Sequence, residues 1–286
     1  MENFVIYTDT ACDIEKETLG KWGVGLVPLS FRFNDIDKDY NEGDMPVPEF
    51  YDKMRKGGIA KTSAVNMETF KDVFREELKR GNDVLYLAFS SGLSNTYNAG
   101  RLAAEELLEE FPDRRVIAVD TLAASAGQGL LVKIASELKA DGKTIEEVAR
   151  FILDNRNNMC HWFTVDDLKY LKRGGRVSAT AAFVGGMLNI KPVLHVDNEG
   201  KLINMHKVRG RKASFKEIVA RYEALAQDKE GRVFISHGDC FEDAEEMARL
   251  LREKGAKVEL ITYIGTVIGA HAGPGTIAVF FLGSEK

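Results

Sequence analysis

The chain has 286 residues, 44% of them hydrophobic and 29% charged, which is enough to bury a sizeable core and long enough for that core to split into two domains. Lys and Arg number 39 against 44 Asp and Glu, and the net charge of -5 argues against general attraction to nucleic acid or anionic membranes. Cys12, Cys160 and Cys240 are few, odd in number and far apart, so neither a disulfide framework nor a CxxC metal pattern is available.

Met1-Glu2-Asn3-Phe4-Val5-Ile6 runs straight into a strand with no basic leader, and no later segment approaches a membrane span; a cytoplasmic protein without integral membrane contact is expected. Phe4 to Tyr7, Val84 to Phe89 and Val116 to Val119 have the apolar, β-branched character of buried parallel strands. Helical periodicity fills the intervals at Met67 to Lys79, Asn95 to Glu110, Ala123 to Ala140 and Ile145 to Asn155, the last opened by Thr144. This βα repetition predicts an α/β fold with a parallel sheet in an N-terminal domain, residues 1–158.

A second α/β domain is expected over residues 159–286. Its candidate strands are Trp162 to Val165, Pro192 to Val196, Leu202 to Val208, Val233 to Ser236, Val258 to Tyr263 and Ile277 to Leu282, with helices at Phe215 to Ala226 and Phe241 to Lys254. Strands here also follow one another directly, and Asp197-Asn198-Glu199-Gly200 reads as a hairpin turn, so the sheet should be mixed. Ala179 to Leu194 is apolar almost all round, which suits a core helix and the wall of a greasy tunnel equally. Ile264 to Gly275 puts four glycines and His271 into what reads as a turn between strands.

In a parallel sheet, ligands bind beyond the carboxyl ends of the strands, where following helices aim their first amides. Those turns are rich in hydroxyls here: Thr8-Asp9-Thr10-Ala11-Cys12-Asp13, Ser90-Ser91-Gly92-Leu93-Ser94-Asn95-Thr96 and Asp120-Thr121. Helix capping explains many such residues, but four hydroxyls between Ser90 and Thr96 exceed what one cap needs. Lys61-Thr62-Ser63 reads as another hydroxyl-bearing loop after Gly57-Gly58. The run Asp166 to Arg176 reads as a short helix ended by Gly174-Gly175, and Arg173 and Arg176 make either a solvated face or a partner-docking or anion-facing edge.

Several chemistries lack support. Asp141-Gly142-Lys143-Thr144 has Glu137 where a phosphate-binding loop needs its first glycine, and Gly127-Gln128-Gly129 lacks the third glycine of a dinucleotide fingerprint. The five histidines are scattered without metal-ligand spacing, so no metal and no cofactor is expected. Ser91 or Ser94 with His271 as base remains an alternative, a serine-dependent hydrolase or phosphotransferase on a small anionic substrate, although no GxSxG elbow accompanies them.

Taken together, Thr8 to Asp13, Lys61-Thr62-Ser63, Ser90 to Tyr97, Asp167 to Arg176, Asn189-Ile190-Lys191-Pro192 and His271-Ala272-Gly273-Pro274-Gly275 resemble, in order and over essentially the whole chain, the DegV family of bacterial fatty-acid-binding proteins. The resemblance implies a non-enzymatic carrier that holds a long-chain fatty acid between two domains and presents its carboxylate to a fatty acid kinase, which makes the acyl phosphate. It further implies Thr62 and Ser94 as carboxylate ligands, His271 near them and Arg173 beside the opening; from the turn and loop they share, Ser91 is expected among the ligand-binding groups and Arg176 among the partner-docking ones. Two departures are Asn95, where the family usually has glycine, and Ala64-Val65, where Gln-Pro is common; chain-length and unsaturation preference depend on such changes.

Overall fold

The computed structural model describes residues 3–177 and 189–286. In chain order the first half comprises β1 (Phe4–Asp9), α1 (Lys16–Lys21), β2 (Val24–Val27), β3 (Ser30–Phe33), β4 (Tyr40–Asn41), α2 (Val47–Arg55), β5 (Ala60–Ser63), α3 (Met67–Lys79), β6 (Asp83–Ala88), α4 (Thr96–Glu110), β7 (Val116–Asp120), α5 (Ser125–Ala140) and α6 (Ile145–Asn155). The second comprises β8 (Met159–Thr164), α7 (Lys169–Arg173), β9 (Ile190–Val196), β10 (Leu202–Arg209), α8 (Arg211–Leu225), β11 (Arg232–His237), α9 (Phe241–Arg252), β12 (Lys257–Tyr263), α10 (Thr266–Ala272) and β13 (Ile277–Leu282).

The expected parallel sheet is present, with strand order β2-β1-β6-β7 and every pairing parallel. β6 is buried at all six positions, as a central strand covered on both faces must be. Helix starts follow local chemistry: Asn66 accepts from the Thr69 amide to open α3, and Thr144 and Glu147 form a reciprocal capping box on α6. The second sheet, β10-β9-β8-β13-β11-β12, is mixed as expected, antiparallel except for the β11–β12 pair. Asp197 closes the β9–β10 hairpin by accepting from the amides of Glu199 and Lys201, and Gly200 takes the left-handed backbone that the turn requires, φ 74°.

The two sheets share α5. Its small residues face both: a Cβ on Gly127 would lie 2.7 Å from the Phe280 ring, and one on Gly129 would lie 2.5 Å from Ile14. These glycines allow close helix–sheet approach, a packing role for the Gly-x-Gly. One continuous core therefore runs from Ile6, Leu85 and Leu87 through Leu130 and Leu131 to Phe163, Phe234 and Phe280. No helix among the described residues is long and apolar enough to cross a membrane.

Two sequence expectations are corrected. Lys61-Thr62-Ser63 is not a loop but strand β5, antiparallel to β3 in a small sheet of order β4-β3-β5. Residues 264–275 are not a plain turn: Thr266–Ala272 forms α10, stopped by Gly273 at φ 83°. The apolar segment from Ala179 falls outside the described residues up to 188, and its end forms β9.

Candidate functional site

A cavity of about 260 Å³ lies between the two sheets, walled by apolar side chains that include Leu29, Phe89, Phe163, Ile268 and Phe280. Polar groups reach it at two places, and they differ in what they leave free. Ser125 Oγ donates to the Asp13 carboxyl group and pairs with Ser236 Oγ at 2.9 Å. His161 Nε2 accepts from the Ala124 amide at 3.3 Å, so its proton sits on Nδ1 and is donated to the Met159 carbonyl at 2.9 Å. Burial pushes the His161 pKa well below the ordinary imidazole range. Both groups are spent within the protein.

The other polar place is built by Thr62 on β5, Ser94 and Asn95 ahead of α4, Arg176 after α7 and His271 on α10. Thr62 Oγ1 and His271 Nε2 are 2.8 Å apart. His271 Nδ1 is buried with no partner among the described residues. An unpaired acceptor lone pair costs less there than an unpaired N–H, so the favoured tautomer carries its proton on Nε2 and donates it to Thr62. That leaves the Thr62 hydroxyl proton available to a ligand. The His271 pKa is pushed down to about 4, first by burial and then by the positive charge of Arg176. Gly174 makes room for this ring, since a Cβ there would lie 2.0 Å from Nδ1.

Ser94 Oγ is 2.9 Å from Thr96 Oγ1 and accepts from the Thr96 amide at 3.2 Å, which fixes the hydroxyl at the start of α4. Ser91 is exposed; its amide donates to Asp120 and it lines an outer groove of about 990 Å³ instead of the inner cavity. Ser94, Asn95 and Arg176 line both spaces and so mark the wall between them. Arg173 is exposed, its guanidinium 5.8 Å from the centre of the Tyr170 ring, and lines neither. Some of the hydroxyl excess is structural: Ser90 Oγ donates to the Gly200 carbonyl at 2.8 Å, and a Cβ at Gly92 would lie 2.6 Å from the Glu199 carbonyl oxygen. The hairpin packs directly on the serine turn.

Two carboxyl groups that the sequence did not single out as a pair orient α10. Asp13 Oδ1 accepts from the Gly265 amide at 2.9 Å, and Glu42 Oε1 accepts from the Val267 amide at 3.2 Å and the Thr266 hydroxyl at 3.3 Å. Burial raises both pKa values, Glu42 to about 7 and Asp13 well above the ordinary carboxylate range, the latter also through the Glu42 charge. Glu42 Oε2 is buried without a partner among the described residues. No cluster of three His, Cys, Asp or Glu among the described residues is arranged to hold a metal ion.

A family model described as "Uncharacterised protein, DegV family" matches residues 3–284. The chain belongs to the DegV family. A DegV domain-containing protein of Clostridium perfringens is 46% identical, over 100% of this chain and 99% of its own. Among solved DegV-like structures, one titled for fatty acid binding of a DegV family protein from Thermus thermophilus has a TM-score of 0.88 at 32% identity, covering 97% of this chain and 98% of its own. A stearic acid-binding protein from Eubacterium ventriosum has a TM-score of 0.88 at 27% identity with the same coverages.

Proposed function

We propose that the protein binds a long-chain fatty acid with its tail in the apolar cavity and its carboxylate at Thr62, Ser94 and His271. The observation that carries this reading is the contrast between the two polar places: one is internally satisfied, whereas the other leaves a hydroxyl proton beside an apolar space between the sheets. The similar solved structures of a fatty-acid-binding DegV family protein and of a stearic acid-binding protein support the same ligand class. Burying about 14 methylenes at ~0.8 kcal/mol each gives on the order of 11 kcal/mol gross, before association and ordering costs. The tail then supplies affinity, and hydrogen bonds at the carboxylate select which end enters.

A carrier of this kind presents its ligand to a partner. In this proposal a fatty acid kinase docks beside the opening at Arg173; a carboxylate oxygen attacks the γ-phosphorus of ATP, ADP leaves, and acyl phosphate forms. The serine hydrolase alternative has less support. His271 Nε2 is engaged by Thr62 and Ser94 Oγ by Thr96, and an imidazole with a pKa of about 4 is a weak general base at neutral pH.

Equilibrium binding of radiolabelled palmitate and oleate to delipidated protein tests the reading. Saturable binding of one fatty acid per chain, with no turnover of acyl esters, is expected. Ester hydrolysis abolished by Ser94→Ala would replace the carrier with the enzyme.

A further inference from the structure

Ser94, Asn95 and Arg176 are the polar residues that the inner cavity and the outer groove share among the described residues, and two of them are held by their neighbours. Ser94 Oγ is fixed by Thr96, and Arg176 donates to the Leu93 and Gly174 carbonyls at 3.0 and 2.6 Å. Asn95 differs. It stands directly ahead of α4, where an asparagine ordinarily accepts from an amide of the first helical turn. That bond calls for an extended backbone at the cap, whereas Asn95 has φ -77° and ψ 1°, and its side chain makes no capping bond. Ser94, one residue earlier, accepts from the Thr96 amide instead. The Asn95 carboxamide is exposed and has no hydrogen bond among the described residues. Its NH2 group therefore brings unspent donors to the place where cavity and groove adjoin.

We infer that Asn95 is a further headgroup residue whose Nδ2 donates to the carboxylate oxygen turned toward the groove, an inference that rests on the fatty-acid reading above. A carboxylate offers about four lone-pair sites on its two oxygens, and the Thr62 and Ser94 hydroxyls fill one each. Thr62 lines the cavity and not the groove, so its bond fixes the inward oxygen. The groups that line only the groove do not reach the outward one: Ser91 and Asn98 are confined to it, and Asn98 Oδ1 accepts from Arg101 at 3.0 Å. Lys201 is paired with Glu199 at 2.6 Å, and Asp197 accepts from its own hairpin. Asn95 adds a free donor on the side from which a partner approaches the ligand. Hydrogen bonds to an ionised acceptor are stronger than those to a neutral one, so the carboxamide favours a fatty acid over an alcohol with the same tail. Asn95 is thus a specificity residue for the headgroup that acts through its side chain and not through the cap of α4.

The test is equilibrium dialysis of radiolabelled oleate and of oleyl alcohol against the delipidated full chain at about pH 8, well above the ordinary carboxyl range. Asn95→Ala should weaken oleate roughly 10-fold, the loss of one hydrogen bond to a charged group. Asn95→Asp keeps the side-chain shape and sets a like charge in place of the donor, so oleate should weaken further, by about 30- to 100-fold. Neither substitution should change oleyl alcohol by more than about threefold, because a neutral hydroxyl makes the weaker bond. Unchanged oleate affinity in both variants overturns the inference. So does an equal loss for oleate and oleyl alcohol, which would make Asn95 a structural residue. Failure of the unmodified protein to bind oleate at all is a different result, and it removes the fatty-acid reading itself.

Discussion

Thr62 Oγ1 and His271 Nε2, 209 positions apart in sequence, meet at 2.8 Å across the junction of the small β4-β3-β5 sheet and α10. The pair couples a strand of the first half to a helix of the second, and its geometry depends on both. Asp13 and Glu42 hold the amino end of α10, while Gly174 leaves space for the ring at its other end. In the proposed reading, ligand recognition is accordingly a property of how the halves are docked.

Removing the free hydroxyl should weaken the ligand without disturbing the cavity. Thr62→Val keeps the shape and loses a hydrogen bond to a charged group, about 1.5 to 3 kcal/mol, so oleate affinity should fall roughly 10- to 150-fold. Ser94→Ala should act in the same direction. Isothermal titration calorimetry gives the answer, and unchanged affinity in both variants would move the headgroup elsewhere.

His271 makes the ligand-free protein sensitive to acid. Its folded pKa, about 4, lies below the ordinary 6.5, so between those values the unfolded chain binds the extra proton. Stability should therefore rise with pH from about 4 to 6.5, by on the order of 3 kcal/mol. Urea unfolding of the delipidated protein and of His271→Gln across this range should show the variant losing that slope. Parallel profiles for the two would contradict the assignment.

Glu42 should act with the opposite sign. Its folded pKa is raised from 4.5 to about 7, so the native state holds the proton while the unfolded chain has released it. The stability this contributes is present below pH 4.5 and lost as pH rises toward 7 and beyond. Glu42→Gln, neutral at every pH, should gain on the unmodified protein as pH increases through that window. A constant difference between them in the same unfolding series would show that Glu42 does not titrate there.

Arg173 and the ligand groups should separate in function. Arg173 is exposed and touches the Tyr170 ring, not the cavity. In the proposed carrier, Arg173→Ala should bind oleate with unchanged affinity and support kinase-dependent acyl phosphate formation poorly, measured as ADP release with the partner kinase. Full coupling by the variant would remove Arg173 from the docking surface.

Strong periodicity carried most of the architecture. The β1, β6 and β7 strands, α3, α4 and α6, and the Asp197 to Gly200 hairpin all follow from local pattern and turn chemistry. The small sheet did not, because β4 has two residues and β5 alternates half-buried with exposed positions instead of apolar with polar ones. α10 was hidden by its glycines, which serve packing: a Cβ at Gly269 would lie 2.5 Å from the Tyr51 hydroxyl. In the site, Thr62, Ser94 and His271 were legible as motif residues, and their convergence followed from the family resemblance and not from any local pattern. Glu42 carries no local signal at all, since its role arises only when α10 packs onto it. Nor does sequence distinguish Arg176, turned into the wall, from Arg173 three residues earlier, turned to solvent.

Organic extraction of the purified, folded protein followed by mass spectrometry tests the central claim most directly, with native mass measurement giving the stoichiometry. The account predicts near-stoichiometric long-chain fatty acid, released on denaturation. Protein that carries none, and still carries none after incubation with a mixed fatty-acid pool, would contradict it.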